Sequence, residues 1–157
     1  MLLVPCHVDC AAHSVVPNGG SGDRKEAGMR VMLMIKGDPE PGASPSQELL
    51  EAMGRYNAQL QEAGVLLDLA GFLPTGEGRR VRFSGGKRAV IDGPFPESKH
   101  VVAGYWILQV ASMDEAVEWA NRVPFEALSR IYPGEYGADV EVEIRQVFEP
   151  EPVDASN

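Results

Sequence analysis

The chain has 157 residues, 44% hydrophobic and 24% charged, which suits one globular domain with a real core and is too short for two comfortable ones. Fourteen Lys plus Arg against 23 Asp plus Glu give a net charge of -9, a balance that repels a phosphate backbone and argues against nucleic acid as a partner. No apolar run approaches the roughly 18 residues of a membrane span, so a soluble protein with no membrane partner is expected.

Residues 1–28 read differently from the rest and are expected to be a flexible extension ending in the linker Asn18-Gly-Gly-Ser-Gly-Asp23. They lack the cationic start of a secretory signal. Cys6, His7, Cys10 and His13 form a Cys-His-x-x-Cys-x-x-His cluster with four possible zinc ligands. Structural zinc usually joins two ligand pairs across an intervening fold element, which is missing here, so no metal is expected. A sharper form of this expectation makes Met29 the functional start; a folded domain is expected over 29–149 and a flexible tail over 150–157.

The stretch RVMLMIK (30–36) is apolar on both pleat faces, Val31, Leu33 and Ile35 opposing Met32 and Met34, as in a strand covered on both sides. Ser44-Pro45-Ser46-Gln47 follows as a helix start, with Ser44 as N-cap, Pro45 at the first helical position and Gln47 three residues on. The stripe Leu49, Met53, Tyr56, Leu60 makes that helix amphipathic, and Gly64 closes it. A second strand is expected over about 67–73. RRVRFS and KRAVID, joined by Gly85-Gly86, form a two-residue type I′ hairpin. VAGYWILQV (102–110) is the next strand, and Ser112 to Glu115 is a capping box opening a helix that ends before Pro124. VEVEIRQVF alternates as a final strand. The order is β-α-β, hairpin, β-α-β: an α+β, ferredoxin-like split unit with an inserted β-hairpin.

Several motifs in this order resemble the YCII-related, or DGPF, family: the start MRVMLMIKG, Asp92-Gly-Pro-Phe95 followed by Glu97 and Lys99, then Gly104-Tyr105, the helix Glu115-Ala116 to Trp119-Ala120, and a closing Val-Glu-Ile-Arg strand. The resemblance implies a dimeric α+β barrel, hence a homodimer, with a pocket in each subunit beside the sheet, and a cytoplasmic bacterial protein. It also implies company with extracytoplasmic-function sigma factors, an alternative accessory role without catalysis. Relatives with assigned chemistry are similar in using a His-Asp pair with the His on the first helix. Here Met53, Arg55, Tyr56 and Asn57 stand on that helix, so the pair does not carry over.

The candidate chemistry gathers around residues 92–100. Counting outward from Gly85-Gly86, Arg79 faces Asp92 and Val81 faces Val90, so Asp92 shares a face with Val81, Phe83 and Val90. A carboxylate on an apolar face needs a partner, Arg79 or Lys99 or else backbone N–H groups of the turn, and is expected to point into a partly enclosed pocket. Asp92 is the candidate catalytic base or anchor, against the alternative that it only caps its own turn. Tyr56, Arg79, Phe95, Lys99, His100 and Tyr105 are the candidate ligand-binding residues. His100 alone in the folded part has an ordinary pKa near neutrality, though a solvated loop position is the plainer reading. Tyr105 and Trp106 point to opposite faces of one strand, one for the core and one for a pocket or interface. The cations Arg79, Arg80, Arg82, Lys87 and Arg88 either draw in an anionic ligand or defend a hairpin edge. No phosphate-cradling loop or nucleophile stands out, and no cofactor is expected. The resulting expectation is a small-molecule-binding protein or a cofactor-independent proton-transfer enzyme.

Overall fold

The computed structural model describes residues 28–39, 42, 44–96, 100–130 and 140–150. The expectations for the N-terminal extension and its Cys/His cluster, for Lys99 and for the tail beyond 150 lie outside these residues.

The domain runs β1 (Met29–Lys36), α1 (Gln47–Glu62), β2 (Leu66–Gly71), β3 (Arg79–Ser84), β4 (Lys87–Asp92), β5 (Val102–Val110), α2 (Met113–Ala120), α3 (Phe125–Ser129) and β6 (Glu141–Gln146). Four strands form one antiparallel sheet in the order β2-β5-β1-β6, and β3 and β4 form a separate two-stranded sheet. This is the α+β, ferredoxin-like arrangement expected, with the hairpin inserted between its second and third strands.

The two faces of the four-stranded sheet differ as the pleat of β1 dictates. Val31, Leu33 and Ile35 are buried with Trp106 and Leu108 of β5. Leu49, Tyr56 and Leu60 of α1 and Ala116 and Trp119 of α2 pack onto them as one cluster. Val31, Leu33, Leu60 and Leu108 are fully buried, each stabilising the fold by about 1.5–3 kcal/mol over an exposed side chain. Met32 and Met34 point the other way, beside Ile107 and Tyr105 in register, and are only half-buried. Among the described residues no helix covers this second face.

Local signals start and stop most elements where they were read. Ser112 caps α2, its hydroxyl accepting from Glu115 N–H, while the Glu115 carboxylate accepts from Ala111 N–H. Past α1, the Val65 N–H returns to the Leu60 carbonyl, closing the helix around Gly64. Gly85 and Gly86 have φ of 56° and 79°, the positive values that a type I′ turn demands. The start of α1 needs correction: the N-cap is Ser46, whose hydroxyl accepts from Leu49 N–H, and Pro45 lies outside the helix. The second strand likewise ends at Gly71, short of the expected 73. Two short elements were not anticipated, the helix α3 and a 3-10 turn over Thr75–Glu77.

Candidate functional site

One end of the sheet gathers the residues of interest: the C-terminal ends of β1 and β2, the start of β5 and the root of the hairpin. The hairpin pairs in the register read from its glycine turn, Arg79 opposite Asp92, Val81 opposite Val90 and Ser84 opposite Lys87. Arg79 Nε lies 2.7 Å from Asp92 Oδ1, one of the partners expected for that carboxylate. Enclosure is the part that fails. The Asp92 side chain is 77% exposed, and Val81, Phe83 and Val90 on the same face are 68%, 68% and 67% exposed. Strand parity decides which side chains share a face but not whether anything covers it, and the helices of this chain lie on the other sheet. Within a single chain, Asp92 therefore faces solvent in an ion pair of the kind worth at most about 1 kcal/mol.

The DGPF turn itself is a clasp. Gly93 runs so close to the 3-10 turn that a β-carbon there would fall 1.7 Å from the Thr75 carbonyl oxygen. Its N–H donates to the Gly78 carbonyl at 2.9 Å, and Phe95 N–H donates to the Thr75 hydroxyl at 3.0 Å. Thr75 is buried, and Asp38 in the loop after β1 holds it twice: one carboxylate oxygen accepts from Thr75 N–H at 2.9 Å, the other from the Thr75 hydroxyl. The Arg80 guanidinium stacks 3.9 Å from the centre of the Phe95 ring. Phe95 and Arg80 thus close the hairpin root, and Asp38, unremarked in the sequence, anchors it.

The remaining candidates separate. Tyr56 does not face a pocket: it is 3% exposed, donates to the Trp119 carbonyl at 3.0 Å and meets Trp106 edge-on at 5.3 Å. Burial pushes its phenol well above the ordinary tyrosine range. His100 is exposed. Trp106 is the core partner of the Tyr105-Trp106 pair, its indole N–H donating to Asn57 Oδ1 at 2.9 Å. Tyr105 occupies the uncovered face. Its hydroxyl donates to Asp68 Oδ2 at 3.0 Å and its ring lies 5.9 Å from Phe72. The hydrogen bond to Asp68, then partial burial and the carboxylate's charge, raise the Tyr105 pKa.

Across β1 on the same face, Glu143 bridges Lys36 at 3.3 Å and Arg145 at 3.1 Å, and those two bonds hold its carboxyl below the usual range. The uncovered face thus sets a phenol-carboxylate pair and an ion triad around Met34, Ile107 and Phe72. Asp68 was missed because only the register of β2 against β5 brings it to Tyr105. A concavity of about 320 Å³ lies elsewhere, lined by Phe125, Glu126, Ser129 and Val140.

Comparison with known proteins agrees with the motifs. The chain is 41% identical over 75 residues to an uncharacterized protein of Rhizobium meliloti (strain 1021), a match covering 48% of this chain and 60% of that relative. The match thus spans less than two thirds of that protein's length. Residues 29–133, which include three of the four strands of the main sheet, the hairpin clasp and Tyr105, match the YCII-related domain, and the chain belongs to that family.

Proposed function

We propose that the protein binds a small molecule and carries out cofactor-independent acid–base chemistry at the hairpin-bearing end of the uncovered sheet face, as a cytoplasmic homodimer. The observation that carries this reading is the Tyr105–Asp68 hydrogen bond, set beside Phe72 on a face that the chain's own helices leave bare. A carboxylate fixed against a phenol supplies a base and a neutral donor in one place, the two roles that proton transfer needs. Asp68 replaces Asp92 as the preferred base, because Asp92 is engaged by the cation of Arg79, whereas Asp68, also exposed in the single chain, is bonded to a neutral phenol on the sheet face that the proposed dimer buries.

A half-apolar sheet face is costly to leave in water, and a second copy related by a two-fold axis buries it with the same surface. Stacking two such faces also dries the Tyr105–Asp68 pair, which strengthens its electrostatics. Native mass spectrometry of the purified protein tests the site. A small molecule retained by the wild type should be lost in Asp68→Asn and Tyr105→Phe and kept in Asp92→Asn. Loss in Asp92→Asn alone would move the site to the hairpin and refute this assignment.

A further inference from the structure

We infer that the β3–β4 hairpin is an arm that reaches alongside the stacked sheets to the β2 edge of a second copy's uncovered face, bringing Arg88 to the partner's Asp68 position. The inference rests on the homodimeric site proposed above and adds what closes it.

Among the described residues, seven of the eleven exposed large apolar side chains fall between Leu67 and Val90. Three of them, Val81, Phe83 and Val90, share one face of the hairpin with Arg79, Arg88 and Asp92. This face cannot fold back on its own domain. The opposite face is the one turned inward, with Arg80 stacked on Phe95 at the root and Ile91 half-buried. The clasp of Gly93, Thr75 and Asp38 fixes that orientation. An outward apolar face about two-thirds exposed on a rigid root is a surface awaiting another molecule.

Charge selects the occupant. The hairpin holds five of the chain's 14 cations, namely Arg79, Arg80, Arg82, Lys87 and Arg88, and only one of its 23 carboxylates, Asp92, so the remainder carries nine cations against 22 carboxylates. A basic arm on an acidic body is complementary to a second copy of itself. The β2 edge of the uncovered face matches: it offers Phe72, and Asp68, whose bonds go to Leu69 N–H and Tyr105 O–H and to no cation among the described residues. Two cations stand on the arm's apolar face: Arg79 is paired with Asp92 at the root, and Arg88 lies toward the tip, 5.7 Å from the Phe83 ring centre. Dimensions agree as well. Six residues per strand reach about 20 Å, enough to pass the gap between two stacked sheets.

The test is sedimentation analysis of the full chain, with circular dichroism as a check on folding. Wild type should be dimeric at micromolar concentration and weaken with added salt. V81S/F83S/V90S changes only side chains exposed in the single chain and should weaken the dimer at least about 30-fold, as loss of three apolar contacts requires. R88E and D68R should each weaken it, and the R88E/D68R charge swap should restore most of the loss. A dimer unchanged by the triple variant and by R88E overturns the arm while leaving the sheet-face dimer standing. Weakening by R88E without rescue by the swap overturns its placement on Asp68. A monomeric wild type overturns both readings.

Discussion

Replacing Gly93 by Ala should release the hairpin root while leaving the core of the domain intact. The added methyl would meet the Thr75 carbonyl oxygen at 1.7 Å and its carbon at 2.6 Å, so two stretches of backbone must separate. Steric overpacking of this kind costs about 1–3 kcal/mol. Separation also stretches the Gly93 N–H bond to Gly78 and the Phe95 N–H bond to Thr75, each worth about 1 kcal/mol net. The sum is about 3–5 kcal/mol, and the cheaper escape, opening the clasp, sets about 3 kcal/mol as the expected loss. Hydrogen exchange followed by mass spectrometry reads this directly, because local opening free energies appear as protection. Peptides covering Thr75 to Gly78 and Gly93 to Phe95 should lose about 100-fold in protection, at about 1.4 kcal/mol per tenfold. Peptides from β1 and from Trp106 to Val110 should be unchanged. Gly76→Ala is the control, since a β-carbon there meets nothing within 4 Å. Wild-type protection at Gly93 and Phe95 in the Ala variant would refute the close approach, and equal loss across the whole chain would refute the separation of clasp from core.

Tyr56→Phe removes one buried hydrogen bond, but the Trp119 carbonyl keeps Arg122 N–H at 3.1 Å; the cost should be about 1 kcal/mol, a melting shift of about 2–4 °C in thermal denaturation. Tyr105 should ionise above the ordinary tyrosine range, so its bond to Asp68 is intact below that range and lost as pH rises through the raised value; Asp68→Asn should bring the ultraviolet titration back down. Glu143 titrates the other way: its ion triad is fully formed above the ordinary carboxylate range and is lost as pH falls through the lowered value, and Arg145→Gln should raise that value in an NMR titration. Met34→Lys places a charge on the uncovered face with little effect on the chain's own core and should convert the proposed dimer to monomer in sedimentation.

What could be read without coordinates was what short-range chemistry dictates. The glycine turn fixed the whole hairpin register, because a two-residue loop leaves one way to count back. Ser112 was identified as a cap because one serine stood at the right distance from an acidic residue, whereas Ser44 and Ser46 flank Pro45 and only the bond to Leu49 N–H chooses between them. The fate of Tyr56 was half legible: its place in the stripe Leu49, Met53, Tyr56, Leu60 put it in the core, yet its hydroxyl made it a site candidate until Trp119 claimed it. Asp38 and Thr75 lie 37 residues apart, and Asp68 and Tyr105 lie 37 apart as well. No local pattern links such residues; only the sheet order does. The exposure of Asp92 was illegible for a related reason, since it depends on which sheet the helices choose to cover.

The hairpin joins the domain only at its root, so the far end is free to change length under a simple constraint. Cross-strand pairs alternate between hydrogen-bonded and non-bonded, and a tight two-residue turn closes on the hydrogen-bonded kind. Deleting Ser84 and Lys87 alone would hand the Gly85-Gly86 turn a pair of the wrong kind, formed by Phe83 and Arg88. Deleting all four of those residues leaves Arg82 and Ala89 to close the turn and keeps Val81 and Val90 where they were. Homologous arms should accordingly differ by whole pleats, growing or shrinking at the tip while the clasp at Gly93 stays the same.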